Sequence, residues 1–329
     1  LNTEDPNFVH GYTNNSGYED VRQSIADYTN KKFGTNFSYE NIVMTNGAAA
    51  ALNIIFRCIL NPGDEIITFA PFFTEYRNYV SIFKSTLTVV PANTETFEVN
   101  FDEFEKLISP KTRGVLMNTP NNPSGAVYSE ETIKKIAAIM EKKQQEFGTD
   151  IYLISDEPYR ELVYENVEVS YVSKYYKNTF IAYSFSKSLS LPGERIGYVI
   201  ANSEMKDFEK MMFALNVANR VAGFVNANSL FQRVVPYCLD CKVDVEIYNK
   251  NRIELYNMLT SLGFKCVKPA GAFYMFPETP IEDDVAFCNA AKEFNLLIVP
   301  GSGFGCKGHA RISYCVSHDT IVNSYPAFE

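Results

Sequence analysis

The chain has 329 residues, 46% of them hydrophobic, with a net charge of -9 and a pI near 5.1. This length and apolar content are sufficient for a large buried core. The acidic balance argues against a nucleic-acid-binding surface, because phosphate contacts need clustered Lys and Arg. Apolar runs such as 296–300 are far shorter than the roughly 20 residues that span a bilayer. We therefore expect small-molecule partners, with no nucleic acid and no membrane span.

The seven cysteines are scattered and odd in number. They do not have the pattern of a disulfide framework and indicate a reducing compartment, so we predict a cytoplasmic location. Cys238 and Cys241 form a CxxC pair, but no second pair or nearby His completes a zinc site, and no metal is predicted. The chain begins at Leu1 without a starter Met or a signal-peptide pattern, and we expect N-terminal residues to be missing.

Between residues 41 and 199, short β-rich runs alternate with longer amphipathic stretches. This pattern is typical of βαβ units around a mainly parallel sheet. The predicted strands are 41–44, 65–69, 86–90, 114–117, 151–155, 180–184 and 197–201. The predicted helices are 48–60, 75–83, 101–107, 130–146, 205–213 and a long pattern over 225–262. From residue 264 onward, shorter runs predict a compact α+β unit with strands at 264–267, 272–276, 296–299 and 310–316 and a helix near 281–294.

Ligands of open α/β sheets bind beyond the carboxyl ends of the strands, so the loops there are the first place to look for chemistry. Seven segments, five of them after predicted strands, carry suitable residues: 11–17 (GYTNNSG), 46–52 (NGAAAAL), 71–73 (PFF), 121–125 (NNPSG), 154–159 (ISDEPY), 184–198 (SFSKSLSLPGERIGY) and 310–314 (ARISY).

Each segment has an ordinary explanation when it is taken alone. Lys187 in a Ser-rich loop is a solvated charge, and Asp156 after a strand is a helix N-cap. Residues 121–125 form a turn, Phe73 is a core aromatic and Tyr12 lies in a surface turn. Together and in this order, the segments indicate a cofactor site instead.

Taken together, the segments resemble the fold type I aminotransferases of the aspartate aminotransferase superfamily (class I/II) over nearly the whole chain. The resemblance implies an α/β fold in which a large domain, with a mainly parallel seven-stranded sheet flanked by helices, carries a smaller α+β C-terminal domain. We expect the large domain over 1–225, with an N-terminal arm at 1–17. The smaller domain is expected over 226–329, with its N-terminal part missing.

The cofactor that the resemblance implies is pyridoxal 5'-phosphate, bound as a Schiff base to Lys187, which is also the proton carrier. Arg195 matches the family's phosphate-binding arginine, and its planar fork suits bidentate contacts to phosphate. Ser184 adds a hydroxyl group. Ala48 and Ala49 open a predicted helix after a strand, where free N–H groups and the helix dipole attract phosphate.

Asp156 matches the aspartate that pairs with the pyridine nitrogen, keeping it protonated so that electrons flow from the substrate Cα into the ring. Tyr159 and Asn122 match the two donors to the ring oxygen, which lower the pKa of the Schiff base. The resemblance therefore assigns catalytic roles to Lys187, Asp156 and Tyr159. Phe73 matches the aromatic side chain that stacks on the ring.

Arg311 matches the arginine that clamps the substrate α-carboxylate, with Asn122 beside it. Tyr12 matches the tyrosine that reaches the phosphate of the partner subunit, so the resemblance implies a homodimer with composite sites. The predicted reaction transfers an amino group from an L-amino acid of the aspartate, alanine or aromatic type to a 2-oxo acid. A β-eliminating C–S lyase on the same scaffold is the alternative.

The sequence disfavours three other functions. Residues 303–308 match GxGxxG, but a dinucleotide fingerprint should open a helix within a βαβ unit, whereas here a β-like run follows and the chain is almost finished. Residues 184–187 match the SxxK of penicillin-recognising enzymes, but neither SDN nor KTG occurs in the chain. A binding protein that has lost the chemistry is disfavoured because Lys187, Asp156 and Arg195 occur together.

Overall fold

The computed structural model describes residues 5–329, and its larger part is built on a seven-stranded sheet. The strands are β1 Ile42–Thr45, β2 Glu65–Phe69, β3 Thr86–Val90, β4 Thr112–Asn118, β5 Tyr152–Asp156, β6 Thr179–Ser184 and β7 Gly197–Ala201. Their order in the sheet is β1-β7-β6-β5-β4-β2-β3, and β7 is antiparallel to both of its neighbours. The prediction of a mainly parallel seven-stranded sheet is confirmed.

Helices cover both faces of this sheet, as near-continuously apolar strands require. The helices are α1 Pro6–His10, α2 Glu19–Phe33, α3 Ala48–Ile59, α4 Glu75–Ser81, α5 Phe101–Leu107, α6 Glu130–Phe147, α7 Phe185–Ser188, α8 Phe208–Val221 and α9 Ser229–Val234. The first core cluster packs α2, α5 and α6 against one face, and the second packs α3, α4 and α8 against the other. The inner strands of the sheet are therefore almost completely buried, whereas the edge strand β3 is partly exposed.

A smaller α+β unit follows. It contains α10 Val245–Ser261, β8 Tyr274–Met275, α11 Asp284–Glu293, β9 Val299–Pro300, β10 Ala310–Ser313, α12 His318–Asn323 and α13 Tyr325–Phe328. Its three-stranded antiparallel sheet has the order β8-β10-β9. A third core cluster joins this unit to Tyr159 and Leu162, which follow β5 of the large sheet. The smaller unit thus packs directly against the loop that leaves β5.

The long helical pattern over 225–262 is divided in the structure. After α9 the chain forms a short 3₁₀ turn, Val235–Cys238, whose second residue is Pro236; proline lacks the N–H that an α-helix needs. Asp244 then caps α10 by accepting a hydrogen bond from the backbone N–H of Glu246. The strand predicted at 264–267 is not formed within the described residues, and the run at 296–299 pairs only at its end, in β9.

Within residues 5–329, no helix is long and apolar enough to cross a membrane. The same part of the chain contains no group of three or more His, Cys, Asp or Glu side chains arranged to hold a metal ion. All seven cysteines are free thiols.

Candidate active site

A cavity of about 350 Å³ opens where the parallel strands β4, β5 and β6 end. The last residue of each strand, Asn118, Asp156 and Ser184, lines it. The residues predicted from the sequence that line this cavity are Ala48, Ala49, Phe73, Asn122, Asp156, Tyr159, Ser184, Lys187, Arg195 and Arg311. The fold therefore brings together residues that are spread over most of the sequence.

Tyr12 is the one predicted site residue that does not line the cavity. Its side chain is 94% exposed in the single chain. The arm that carries it is tied down nearby, since Asn226 donates hydrogen bonds to the backbone oxygens of Thr13 and Asn14. Tyr12 is therefore held on the surface of the subunit, and its predicted contact with a partner subunit stays a prediction.

Lys187 lies on α7, the single helical turn between β6 and the antiparallel β7. Its amine is partly buried, and this burial lowers the pKa of the ammonium group. The positive charges of Arg195 and Arg311 lower this pKa further, whereas Cys315 raises it. A lysine with a depressed pKa has more of its amine in the neutral form, the form that attacks a carbonyl carbon or accepts a proton.

The first turn of α3 and Arg195 together form a site for an anion. The guanidinium of Arg195 donates to Ser186 Oγ and to the backbone oxygen of Asn46, each at 3.4 Å. Gly47 precedes α3 with φ +83°, and a Cβ at this position would lie 2.8 Å from Arg195 Nη2. Within residues 5–329, no side chain caps α3, so its first amide groups point their positive dipole at this space.

Asp156 is buried at the end of β5. Its Oδ2 accepts a hydrogen bond of 2.5 Å from the hydroxyl of Tyr76, while Oδ1 is buried and has no hydrogen-bond partner in the described structure. Burial raises the pKa of this carboxyl to about 7, against the opposing effect of the Tyr76 hydrogen bond. Because no α-helix begins directly after β5, the N-cap explanation does not apply. A buried acceptor without a partner is a position at which a ligand donor is expected.

Two asparagines connect the loops around this carboxylate. The side chain of Asn118 donates to the backbone oxygen of Asp156 at 2.8 Å and accepts from the backbone N–H of Asn122 at 2.7 Å. The side-chain oxygen of Asn122 in turn accepts a hydrogen bond from Arg311 Nη1 at 3.0 Å. The loops after β4 and β5 and strand β10 are thus fixed relative to one another.

Arg311 reaches the cavity from β10, with its guanidinium between two aromatic rings. Its Cζ lies 4.7 Å from the ring centre of Tyr274 and 4.8 Å from that of Phe304. Stacking on aromatic faces holds a guanidinium in one plane and leaves its edge free for bidentate contacts. Tyr274 also bonds to Tyr159, with 3.1 Å between their hydroxyl oxygens.

A family model described as aminotransferase class I and II matches residues 3–324 of the chain. The chain belongs to the class I and II aminotransferases. An aminotransferase of known crystal structure from Eubacterium rectale is similar to it, with a TM-score of 0.97 and 49% identity, over 99% of this chain and 82% of that one.

Two further relatives are similar over comparable lengths. A probable N-acetyl-LL-diaminopimelate aminotransferase of Bacillus subtilis is 31% identical over 95% of this chain and 79% of the relative. An aspartate aminotransferase of Thermotoga maritima is 31% identical over 97% of this chain and 82% of the relative. These similarities show that the chain is an enzyme that transfers amino groups, and they do not favour the lyase alternative.

Class I and II aminotransferases depend on pyridoxal 5'-phosphate, and the residues of this aminotransferase fit that group. The unpartnered Oδ1 of Asp156 is an acceptor for a ring N–H. The space beside Arg195, kept free by the absence of a side chain at Gly47, suits a phosphate. Phe73 and Lys187 line the same cavity.

Eight residues that line or support the site of this aminotransferase were not predicted as site residues: Leu52, Tyr76, Tyr79, Asn118, Pro158, Ser186, Pro192 and Tyr274. A signal existed for Asn118, because a polar residue directly follows the predicted strand 114–117. Ser186 lies inside the predicted lysine segment, between Ser184 and Lys187. Tyr76 and Tyr274 lie in apolar helix and strand patterns, where an aromatic residue is ordinarily part of the core.

Proposed function

We propose that the chain transfers an amino group from an L-amino acid to a 2-oxo acid at the cavity described above. The observation that carries this assignment of the site is the convergence of Lys187, Asp156, Arg195 and Arg311 on one cavity. Bound pyridoxal phosphate supplies a carbonyl carbon and an electron-withdrawing ring. The roles of the protein's own side chains follow from their positions and charges.

In this proposal, Lys187 is both the amine that holds the cofactor and the base that moves the proton of the substrate. Its depressed ammonium pKa favours the neutral amine, so Nζ accepts the proton from the substrate Cα. Asp156 keeps a ring nitrogen protonated through Oδ1. Asn122 and Tyr159 hold the ring oxygen, and Arg195, Ser184 and the first turn of α3 hold the phosphate.

Arg311 is proposed to bind the α-carboxylate that amino and oxo acids share. The Arg311→Lys variant replaces a bidentate fork by a point charge, so we expect KM to rise about tenfold or more for both substrates. We expect a smaller change in kcat. Steady-state kinetics in both directions measure these values, with Arg77→Lys as the control, because exposed Arg77 also stacks on an aromatic ring but lies outside the cavity. Unchanged KM for both substrates would remove Arg311 from the site.

For the amino donor we propose aspartate first, with alanine and the aromatic amino acids after it. The support comes from relatives, since the similar proteins of Thermotoga maritima and Pyrococcus horikoshii are aspartate aminotransferases. A panel of L-amino acids assayed with 2-oxoglutarate tests the proposal, with glutamate formation as the readout. Release of pyruvate and ammonia from cysteine conjugates without glutamate formation would favour the lyase instead.

We propose that the chain forms a homodimer through α8 and the N-terminal arm. Three apolar side chains at helical spacing on α8 are exposed: Phe213 is 72%, Val217 44% and Val221 64% accessible. Such a stripe on a soluble enzyme is typical of a protein interface. The arm lies beside it, since Ser16 donates a 2.5 Å hydrogen bond to Asn216 of the same helix. This position supports a route for exposed Tyr12 into a neighbouring subunit.

The proposal of a composite site can be tested by mixing two variants, each of which is inactive or weakened on its own. The Tyr12→Phe homodimer is expected to bind the cofactor less tightly, because the phosphate loses a hydrogen bond of about 1.5–3 kcal/mol. The Lys187→Ala homodimer is expected to be inactive. After subunit exchange, the mixed dimer pairs an intact Lys187 with an intact Tyr12, so activity at limiting cofactor should rise above that of either parent.

The alternative outcome is a mixture whose activity equals the average of its parents although exchange is confirmed by mass. That result would place Tyr12 in its own subunit or outside the site. Light scattering on the unmixed enzyme measures the dimer independently. A monomeric mass for the active enzyme would contradict the homodimer itself.

We propose a division into domains at 1–225 and 226–329, supported by the separate antiparallel sheet and third core cluster of the C-terminal unit. We also propose a cytoplasmic location, supported by seven free thiols, which persist in reducing compartments.

A further inference from the structure

The hydroxyl of Tyr76 is directed at the buried carboxylate of the site. Tyr76 lies on α4 and is 0% exposed. Its hydroxyl donates to Asp156 Oδ2 at 2.5 Å. Burial raises the pKa of the Tyr76 phenol well above its ordinary value, and the neighbouring charge of Asp156 adds to this effect, so the hydroxyl keeps its proton and remains a donor.

This contact assigns different functions to the two oxygens of Asp156. Oδ2 is occupied by Tyr76, whereas Oδ1 is buried and unpartnered within the described residues, and Asp156 lines the cavity. With one oxygen held, the carboxylate cannot rotate without breaking a charge-assisted hydrogen bond, which is among the stronger contacts in proteins. The free oxygen is therefore kept available to a donor in the cavity.

The ring of Tyr76 also supports the aromatic wall of the cavity. It forms an edge-to-face pair with Phe73 at a centroid distance of 5.6 Å and an interplanar angle of 82°, and it lies nearly parallel to Phe72 at 6.5 Å. Edge-to-face pairs have a preferred geometry, so Tyr76 restricts the orientation of Phe73. One side chain thus contacts both the carboxylate and the proposed stacking ring.

We propose that Tyr76 is a positioning residue for the amino-group transfer, holding Asp156 ionised and oriented with Oδ1 toward the cofactor ring. This inference rests on the proposed role of Asp156. The positioning role of Tyr76 itself is assigned neither by the family match nor by the sequence pattern.

The direction of the effect follows from the groups around Asp156. Burial raises its pKa to about 7, the hydrogen bond from Tyr76 lowers it, and the charge of Glu157 raises it. Tyr79 on α4 and Tyr159 in the loop after β5 also face this carboxylate. Because Tyr76 supplies the contact that favours the ionised form, its loss moves the pKa of Asp156 further upward.

The test is Tyr76→Phe, which removes the hydroxyl and keeps the ring. The dissociation constant of pyridoxal phosphate is measured from pH 5 to 9 on full-length protein from which the cofactor has been removed. In the wild type, affinity should weaken as pH falls below the pKa of Asp156, because the protonated carboxyl must release its proton to meet the ring N–H. In Tyr76→Phe, this acid limb should move up by about one to two pH units, and the acid limb of kcat/KM should move with it.

Tyr128→Phe is the matched control. Tyr128 is likewise buried, packs edge-on against Phe69 and lies outside the cavity. Removing its hydroxyl should leave the pH dependence of cofactor binding unchanged. A purely structural role of Tyr76 would lower the melting temperature of Tyr76→Phe without moving either acid limb, and that result would overturn the inference.

A double-mutant cycle with Asp156→Asn separates the inference from the proposed function. If Tyr76 acts through Asp156, adding Tyr76→Phe to Asp156→Asn should change cofactor affinity at pH 7 less than twofold, although the single Tyr76→Phe change weakens it about fivefold or more. Full additivity would overturn the role of Tyr76. Normal cofactor affinity and turnover in Asp156→Asn alone would instead contradict the proposed role of Asp156.

Discussion

Replacing Lys187 by alanine is expected to lower the transamination rate by more than about 1,000-fold, because one side chain is proposed both to hold the cofactor and to move the proton. The neighbouring cations do not replace it, since arginine stays protonated in proteins. Steady-state kinetics measure the fall in turnover. Loss of cofactor attachment is measured by borohydride reduction followed by peptide mass spectrometry, as the absence of covalent cofactor on the peptide that contains residue 187.

Lys206→Ala is the control for this experiment. Lys206 is exposed, paired with Asp150 at 2.8 Å and absent from the cavity lining, so its loss should leave both readouts unchanged. A Lys187→Ala protein that kept normal turnover and a reducible cofactor linkage would show that another amine does this work.

The second large effect is expected for Asp156→Asn, which keeps the shape of the side chain and removes its charge. Loss of one preorganised charge partner typically costs about 100- to 1,000-fold in kcat. In contrast to kcat, the free energy of unfolding of the cofactor-free protein should rise with this substitution. Burial raises the pKa of Asp156 from 3.8 to about 7 in the folded state, so folding disfavours the ionised form.

The sign of the stability effect depends on pH. A raised carboxyl pKa contributes stability that is fully present below about pH 3.8 and is lost as pH rises through about 7. Without cofactor, Asp156→Asn should therefore be at least as stable as the wild type at pH 8, and the difference should shrink toward pH 4. Thermal unfolding at both pH values measures it. A lower melting temperature at pH 8 together with normal kcat would assign Asp156 a structural role only.

The large sheet and most of its connections could be predicted because the strands have simple signals. The bounds of β2, β3 and β7 agree with the prediction, since each strand is an apolar run between turn residues. The smaller unit was less predictable. Its strands have two to four residues, so the two-residue period has little length in which to appear, and the pairing of β9 depends on β10 rather than on local pattern.

The site residues likewise divide into those that local sequence could predict and those that it could not. Lys187 and Asp156 were predictable because the order of their segments along the chain is informative, although each segment alone has an ordinary explanation. Tyr76 and Tyr274 were not, because a buried tyrosine in an apolar pattern has the same appearance whether its hydroxyl meets a carboxylate, another hydroxyl or nothing. Only the packing of α4 and β8 against the strand ends distinguishes these cases.

The pairing of β1 with β7 has a consequence for how the protein folds. The anion site joins Asn46, just after β1, to Arg195, just before β7, and these residues are 149 positions apart in the chain. Contacts of such high sequence separation form slowly, because a long loop must close before they add stability. In the part of the chain that the structure describes, β1 pairs only with β7, so during synthesis this pairing must wait until β7 has left the ribosome. We therefore expect the half of the site that receives phosphate to be among the last parts of the large sheet to assemble.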